Sequence, residues 1–486
     1  MSSTAPELDH PDDGDLKRSI TGRLLFFYVL GDVLGSGVYV LIGLVAGAVG
    51  GAFWLAFAVG VSIATITGLA YAELVTKYPQ AAGAALYVNK AFRNTFLTFL
   101  VTICMLSASF AAAGSLATGF SSYFAEVWAL PPALLVAIVF VLVLAVVNFI
   151  GITESVVINM LMTFVEIAGL VIIMVIGAIH VGRGDADFAV LADFSTDGNP
   201  IFAIVAGVAL AFFAMTGFEN AANVAEETVN PAKTFPRALV GGMAAAGVIY
   251  VIVAMTAALT VPLDQLAESP AALLEVVKEG ILPLPVGFMT VLFAVIAMVA
   301  ITNTTLVAVV TESRILYGMA REDVVPGVFA KIHRARRSPW VSLIFAAAVV
   351  IGLLVIGKLL SQAGVGMDVV ARLATVTVVF TLFIYGLVIV SALKLRGSDE
   401  SPDTFRASTV LLCVGLLGNA ILLVYVIVDD PTSLWWCAGL LGLGLALYAA
   451  ERLFGHRDRP DGVERGEPTP GSDDVVEDAP HRGESS

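Results

Sequence analysis

The sequence is poor in charge. Asp, Glu, Lys and Arg make up 14% of its 486 residues, whereas hydrophobic residues make up 58%. The mean hydropathy is +0.92. This composition excludes a soluble globular protein and indicates a polytopic membrane protein. Apolar runs of about 20 residues recur along the chain, and each is long enough to cross a bilayer as a helix.

Cysteine and histidine are also scarce. Cys104, Cys413 and Cys437 fall in apolar runs and form no Cys-x-x-Cys pair, which favours buried thiols over a metal or redox site. None of the five histidines falls in the middle of an apolar run, and no Gly-x-x-x-x-Gly-Lys-Ser/Thr motif is present. We therefore predict no bound metal or cofactor, no direct use of ATP and no enzymatic site at membrane depth.

The net charge of −14 is concentrated at the two ends of the chain. Residues 1–16 hold five acidic residues and no Lys or Arg, and residues 455–486 hold nine acidic residues and four arginines. Such segments bury too little apolar surface to fold. We predict acidic, disordered tails over 1–21 and 455–486. Their charge argues against a nucleic-acid partner, and the acidic N-terminus does not fit a cleavable signal peptide.

Twelve apolar runs predict an all-α polytopic membrane protein with 12 transmembrane helices. The runs are apolar on all faces, which excludes a strand-rich barrel. Their predicted bounds are 24–49, 52–75, 96–125, 132–151, 154–179, 200–225, 236–262, 284–313, 339–360, 369–393, 407–429 and 432–453.

The Lys and Arg residues of the loops predict the orientation, because cytoplasmic loops carry an excess of them. With a cytoplasmic N-terminus, the outer loops carry only Arg183, Lys278 and Lys358. The inner loops then carry Lys77, Lys90, Arg93, Lys233, Arg237, Arg314, Arg321, Lys331, Arg334, Arg336, Arg337, Lys394, Arg396 and Arg406. We predict a multi-pass protein of the cell membrane with both termini in the cytoplasm, whose basic run at 331–337 meets anionic lipid.

The first apolar run is broken at its middle. Residues 31–47 read GDVLGSGVYVLIGLVAG, so Gly35, Ser36 and Gly37 interrupt the run, and Asp32 lies beside them. A broken helix at this depth occurs only where it lines a protein-buried or wet cavity. Such a break points to the binding site of a transporter. The alternative is that the glycines only allow close helix packing.

The sixth run is also broken, near Thr216 and Gly217, and is polar beyond that point. Breaks in runs one and six imply a repeat of five helices, and because five is odd, the second copy is inverted in the membrane. We predict a five-plus-five inverted repeat with discontinuous helices 1 and 6. Its repeats cover 22–199 and 200–395, and two further helices follow at 396–454.

The paired breaks predict a site for a zwitterion. A helix that restarts at the Gly-Ser-Gly triplet presents free N–H groups and about half a positive charge, which suits a carboxylate. A half-helix that ends near residues 213–216 presents free carbonyl groups and partial negative charge, which suits an ammonium group. An α-amino acid carries both groups.

Motifs along residues 22–455 resemble those of the amino acid–polyamine–organocation permeases. They are Gly-Ser-Gly-Val-Tyr at 35–39, Tyr-Ala-Glu-Leu at 71–74 with Tyr78-Pro79, Thr-Gly-Phe-Glu at 216–219, Glu-Glu-Thr-Val-Asn-Pro at 226–231 with Phe-Pro-Arg at 235–237, and Ser313-Arg314 with Tyr-Gly-Met-Ala-Arg at 317–321. The resemblance implies the inverted-repeat fold and alternating access around the two broken helices.

The resemblance also implies a substrate-binding set. Backbone groups of Gly35, Ser36 and Gly37 would bind the substrate carboxylate. Carbonyl groups near Gly217 would meet the amine, and an aromatic gate would cover the substrate. These carbonyl groups belong to Phe213, Ala214 and Thr216, and the gate is the ring of Phe213.

A carboxylate inside a membrane helix costs at least ~2.5 kcal/mol and needs a reason, and three such residues are candidates for a role in transport. Asp32 can bind a proton, a cation or the substrate amine, or it can bond to frayed backbone. Glu219 can gate or sense protons, or it can stabilise a helix N-terminus by about 0.3–1 kcal/mol. Glu166 can carry the coupling proton, or it can bond between helices. Some proton-coupled members of the family have a lysine near Glu166, and this chain has none there.

The polar run Thr302, Asn303, Thr304 and Thr305 can bind sodium or can make polar contacts between helices. Candidates for the side-chain pocket are Ser107, Met215, Asn303 and Thr375, and the sequence does not rank them.

We expect a secondary active transporter that moves amino acids by proton symport or exchange, with sodium as the less favoured coupling ion. Its partners are the small-molecule amino acid substrate and membrane lipid. Two alternatives stay open. An amine or polyamine carrier of the same fold needs added acidic groups in the pocket. A non-transporting membrane sensor needs a large soluble domain, which the short tails do not supply.

Overall fold

The computed structural model describes residues 20–79, 83–150, 155–194, 199–225, 228–321, 324–333, 336, 338–363, 368–398 and 404–454. The predicted tails lie outside these residues, apart from positions 20 and 21. Residues 226–227 of the quoted motif lie outside them as well, and so do Arg334 and Arg337.

The described chain is helical, and its one β-type contact is an isolated bridge between Ile20 and Thr228. Among the described residues, eleven helices are long and apolar enough to cross a membrane, and one bent pair counted as a single span gives twelve, which confirms the predicted number. The spans are span 1 (Gly22–Leu34 and Gly37–Val49), span 2 (Trp54–Lys77), span 3 (Thr95–Val127), span 4 (Ala133–Ile150), span 5 (Ser155–Arg183), span 6 (Pro200–Ala211, Phe212–Met215 and Phe218–Val224), span 7 (Pro231–Thr260), span 8 (Val286–Arg321), span 9 (Trp340–Gln362), span 10 (Val369–Lys394), span 11 (Thr409–Asp429) and span 12 (Ser433–Phe454).

Short polar side chains begin several spans by bonding to the first free N–H groups. Asn94 accepts from the Leu97 N–H at 3.1 Å, and Asn199 accepts from the Ile201 N–H at 2.9 Å with Pro200 in the first turn. Further helices lie between the spans, at Gly51–Phe53, Gly83–Phe92, Phe188–Ala192, Leu263–Glu268, Ala272–Lys278 and Gly327–Ala330.

The predicted start of span 7 at residue 236 is wrong. The helix begins at Pro231, after Asn230 in the left-handed conformation with φ 50°, and both Phe235 and Pro236 lie inside it. Pro231 is well placed, because the first turn has free N–H groups that proline does not need to supply. The chain therefore makes no turn at Phe235-Pro236.

The spans pack as two groups. Span 7 packs on spans 1 and 2, which both contact span 6, and span 3 packs on spans 8, 9 and 10. The groups meet at the breaks, because the break in span 1 contacts span 8 and the break in span 6 contacts span 10. Within the first group, Gly217 of span 6 lies against Asp32 of span 1. The fold therefore brings two interrupted backbones together inside the bundle.

The two ends of the bundle are closed by different contacts. At the end that holds Gly22, which we call the N-terminal end, Glu73 of span 2 forms an ion pair with Arg396 beyond span 10. At the opposite end, the loop helices pack on the second half of span 1. There Trp54 Nε1 donates to the Leu191 carbonyl at 2.9 Å, and Gly43 packs against Leu266.

Candidate functional site

Span 1 bends by 44° between Leu34 and Gly37. The Ser36 N–H donates to Thr304 Oγ1 of span 8 at 3.2 Å, so one free group of the break is satisfied by a side chain. The Ser36 hydroxyl is buried and has no hydrogen-bond partner among the described residues. A Cβ at Gly35 would lie 2.9 Å from Thr304 Oγ1, so span 8 packs directly against the break.

Span 6 loses its α-helical form at Phe212 and continues as tighter turns. Thr216 is extended, and Gly217 has φ +119°, a backbone conformation that L side chains rarely adopt. A Cβ at Gly217 would lie 2.7 Å from the Asp32 carbonyl oxygen. Glycine is therefore required at 217 by both its conformation and its close approach to span 1.

The two breaks contact each other directly. A Cβ at Gly37 would lie 2.5 Å from Ala214 Cα, so the backbones meet at this glycine. The Tyr250 hydroxyl of span 7 lies within hydrogen-bond distance of the Val33 and Ala214 carbonyl oxygens, the second at 3.0 Å. Tyr250 therefore joins both interrupted backbones. We did not predict this residue, because no motif marks a tyrosine in a continuous helix.

A cavity of about 150 Å³ lies beside the breaks. The cavity extends from the breaks toward the N-terminal end of the bundle. Its lining residues come before the break in span 1 and from the break onward in span 6, and those of spans 8 and 10 lie in the later turns of each helix. Its lining residues are Asp32, Tyr71, Met105, Ala108, Ser109, Ala112, Thr216, Gly217, Glu219, Asn220, Thr304, Val307, Ala308, Thr311, Ile315, Thr377, Thr381, Ile384 and Tyr385.

The cavity separates the predicted site residues into two sets. Asp32, Thr216, Gly217 and Glu219 line it. The other predicted substrate-binding residues do not line it in this conformation, because the two breaks pack on each other; they are Gly35, Ser36, Gly37, Phe213 and Ala214. The carbonyl group of Phe213 already accepts from Thr216 Oγ1 at 2.8 Å. Substrate contact with this second set stays a prediction.

Glu219 is held by two donors. The Gly217 N–H donates to Glu219 Oε2 at 2.8 Å, and the Tyr385 hydroxyl donates to the same oxygen at 2.6 Å. The first bond is that of a residue stabilising a helix start, one of the two roles predicted for this carboxylate. The rings of Tyr71, Phe218 and Tyr385 pack around it, with centroids 5.1–6.0 Å apart.

Asp32 has an oxygen without a partner. Its Oδ2 atom is buried and makes no hydrogen bond with the described chain, although the Asn220 side chain approaches the carboxylate. Asp32 also lines a second cavity of about 30 Å³, together with Tyr28, Gly31, Asn303, Thr304 and Val307. A space of this size holds a water molecule or two. Asp32 therefore lies between the main cavity and a small polar one.

Glu166 lies deeper than Asp32. It is 0% exposed, and neither carboxyl oxygen makes a hydrogen bond of good geometry with the described residues, although the Asn303 amide lies nearby. Asn303 donates to Thr163 of span 5 at 3.3 Å, so this part of the polar run joins two spans. Thr302 and Thr305 instead donate to carbonyl groups of their own helix.

The structure also ranks the pocket candidates. Asn303 lines the small cavity, whereas Ser107, Met215 and Thr375 line neither cavity. Tyr71, Tyr385 and Ser109 line the main cavity, and the sequence did not suggest them. Tyr71 belongs to a quoted motif, so a signal existed for it. The other two depend on which helix faces the breaks, which one sequence does not show.

The family model for amino acid permeases matches residues 22–443. This chain belongs to that family. Membership confirms the resemblance drawn from the motifs, and it makes the chain a membrane transporter of small molecules of the amino acid class rather than an enzyme.

Individual relatives are distant and differ in their named substrates. The chloroplastic cationic amino acid transporter 9 of Arabidopsis thaliana is 26% identical over 65% of this chain, which spans 58% of that protein. The branched-chain amino acid permease BcaP of Bacillus subtilis is 24% identical over 82% of this chain and 86% of its own. A mutant manganese transporter of Eremococcus coleocola has the same fold, with a TM-score of 0.60, 14% identity and coverage of 92% of this chain and 98% of its own.

Proposed function

We propose that the protein is a secondary carrier that moves amino acids across the cell membrane by alternating access, through proton symport or exchange. The observation that carries this proposal is the cavity beside two interrupted spans whose backbones meet at Gly37 and Ala214. Interrupted backbone at membrane depth offers the unpaired N–H and carbonyl groups that bind a zwitterion.

The breaks must separate for the substrate to reach both sets of backbone groups. In the present conformation Thr304 holds the Ser36 N–H, and Tyr250 holds the Ala214 carbonyl. Both are single hydrogen bonds of the kind that a substrate carboxylate and amine can replace. We infer that an amino acid first enters the cavity beside Asp32 and then takes over these bonds as the carrier closes around it.

The charges of the loops indicate how the protein is oriented in the membrane, and therefore to which side the cavity extends. With the Lys-rich and Arg-rich loops in the cytoplasm, the cavity extends from the breaks toward the cytoplasm, and both termini lie on that side. The loop helices at residues 263–278 and the segment at 188–193 then close the outer end, where the Ala52 N–H donates to the Asp193 carbonyl at 3.0 Å. The conformation is then the one that exchanges substrate with the cytoplasm.

Asp32 is the proposed coupling residue. One of its carboxyl oxygens is buried without a partner, and the residue lines a small cavity together with Asn303 and Thr304, whose side chains also carry oxygen atoms. A carboxylate in such a place needs a proton, a cation or a substrate ammonium group to balance it. Oxygen-bearing side chains such as these also suit a small cation. Sodium is therefore the alternative coupling ion, and the transport experiment must distinguish it from the proton.

The proposal is tested by uptake into proteoliposomes with a panel of labelled amino acids. Counterflow, an imposed proton gradient and an imposed sodium gradient form three separate arms. We expect counterflow of at least one amino acid and accumulation under the proton gradient. Absence of uptake for every amino acid in all three arms would contradict the proposal, and accumulation under the sodium gradient alone would replace the proton by sodium.

A glycine variant tests whether uptake depends on the break in span 1. Gly35→Val should abolish uptake, because its side chain would meet Thr304, while the protein stays folded in the membrane. Gly352→Val is the matched control, since nothing lies within 4 Å of a Cβ at that position in span 9. Equal uptake by the two variants would show that the break only serves packing.

A second candidate is a carrier of amines or polyamines. It is favoured by the two carboxylates of the main cavity, Asp32 and Glu219, and by the absence of Lys, Arg and His from the residues that line it. Competition experiments separate the candidates. An amino acid methyl ester or putrescine that competes as well as the free amino acid would favour the amine carrier, because neither compound offers a carboxylate.

A further inference from the structure

Glu312 of span 8 is a buried acid that none of the steps above uses. Its side chain is 0% exposed, and neither carboxyl oxygen makes a hydrogen bond of good geometry within the described part of the chain. Unlike Asp32 and Glu219, it does not line the cavity. A carboxyl group at this depth therefore needs its own explanation.

Glu312 lies one layer behind the cavity wall. Ala308, Thr311 and Ile315 of span 8 line the cavity, and helical spacing places Glu312 on the same side of the span. Its polar neighbour is Ser109 of span 3, which also lines the cavity. The Ser109 hydroxyl donates to the Ala308 carbonyl at 3.3 Å. Ser109 is therefore a polar side chain that both neighbours the acid and lines the cavity.

No basic side chain of the described chain balances Glu312. On span 8 itself, Arg314 is exposed on another face, and Arg321 lies over the Tyr317 ring. On span 3, Glu126 is about 25 Å from Ser109 at 1.5 Å per residue. The other ionisable groups on the elements packed against span 8 are uncharged, acidic or near the far end of the bundle: Tyr39, Cys104, Tyr123, Glu166, His180, Arg183, Glu275, Lys278 and Lys358.

An ionised carboxylate without a counter-charge is unstable in such a place, because nothing replaces its lost hydration. We propose that Glu312 is a proton-binding site of the transport cycle, protonated in this conformation and able to release its proton to the cavity when the wall at Ser109 opens. In that step the O–H bond of the acid breaks, a cavity water accepts the proton, and entering water hydrates the carboxylate. The inference rests on the proposed function as a proton-coupled carrier.

Infrared difference spectroscopy on the purified protein at pH 7 tests the protonation directly, without any substrate. We expect the wild type to show a carbonyl stretch of a protonated carboxylic acid that Glu312→Gln lacks. Glu73→Gln is the matched control, because Glu73 is buried but paired with Arg396, so its replacement should leave the protonated-acid band unchanged. Identical bands in the wild type and Glu312→Gln would overturn the proposal.

Transport then tests whether this proton is used. With labelled L-leucine and L-arginine as separate probes, Glu312→Gln should keep counterflow within about twofold of the wild type, while accumulation driven by a proton gradient falls at least about tenfold. If the Gln variant fails to fold, Glu312→Met provides an uncharged side chain that needs no hydrogen bond. Retained accumulation in a folded variant overturns the proposal. A wild type that takes up no amino acid of the full panel contradicts the proposed function alone, and the infrared comparison still decides the protonation of Glu312.

Discussion

Glu73 and Glu166 are both buried carboxylates inside helices, yet their surroundings are opposite. Glu73 accepts from Arg396 Nε and Nη2, each at 2.8 Å, and from the Ala407 N–H at 2.9 Å. Glu166 makes no hydrogen bond of good geometry through either oxygen with the described residues. The first lies at the N-terminal end of the bundle, and the second lies in its middle, beside the polar run of span 8.

This difference separates a structural charge from a functional one. Near an end of the bundle, a loop can supply an arginine and a free N–H, and the charge of Glu73 then holds the segment after span 10 against span 2. In the middle, the helices have used their own N–H groups, so an acid there has only side chains and cavities as neighbours. Asp32, Glu166 and Glu312 share that situation, and the comparison predicts that they serve transport rather than stability.

Removing Glu73 should give the largest loss of stability. Glu73→Ala leaves the Arg396 guanidinium buried without its carboxylate, and breaking a buried pair in this way costs about 3–5 kcal/mol. The loss is measured as a lower unfolding midpoint of the purified protein in detergent. The double variant Glu73→Leu with Arg396→Leu should recover much of it, because no unpaired charge then remains. A single variant as stable as the wild type would end the structural interpretation of this pair.

More of the fold than of the candidate site could be predicted from the sequence. Hydropathy fixes the number of spans, and two glycine-containing breaks five helices apart indicate the inverted repeat, because both signals are local. Tyr250 was missed because it acts through the packing of span 7 against two others. Glu312 was also missed, although it falls inside the predicted run at 284–313. The argument used for Asp32, that an acid inside a membrane helix needs a reason, applies to it equally. The sequence could not show that Gly37 packs on Ala214, because that contact depends on how spans 1 and 6 are placed in three dimensions.

Asp32→Asn should separate coupling from exchange. If Asp32 carries the coupling charge, the amide keeps the shape of the site but can no longer bind or release a proton. Counterflow should stay largely intact, while the ratio of uptake at pH 5.5 to uptake at pH 7.5 should fall by about tenfold, which corresponds to about 1.4 kcal/mol. Measurement of initial uptake rates across this pH range checks the effect. An unchanged pH profile would assign the coupling to another acid.

Glu166→Met should change stability by less than about 1.5 kcal/mol, since it replaces an acid without good hydrogen bonds by an apolar side chain of similar size. The contrast with Glu73→Ala is the direct test of the comparison, and both variants are measured in the same detergent unfolding assay. Transport by Glu166→Met should be impaired even though the protein is stable. A large loss of stability would mean that Glu166 is held by contacts as strong as those of Glu73.

The smallest effect is expected at the opposite end, where Lys278 pairs with Glu126 at 2.7 Å and with Glu275 at 3.1 Å. Partial burial alone would raise the pKa of Glu275, but hydrogen bonds from Gln265, Lys278 and Ser269 lower it overall. Burial likewise opposes the charge of Lys278, and its two acidic partners raise its pKa overall. A carboxyl pKa that is lower in the folded state stabilises the fold at pH values above the unfolded pKa of 4.5, and this contribution fades as the pH falls.

Because the lysine is partly exposed, Lys278→Met should cost at most about 1 kcal/mol of folding stability. The loss should shrink in high salt and below pH 4.5, and unfolding midpoints measured across pH and salt will show whether it does. A loss as large as that of Glu73→Ala would contradict the distinction between exposed and buried pairs.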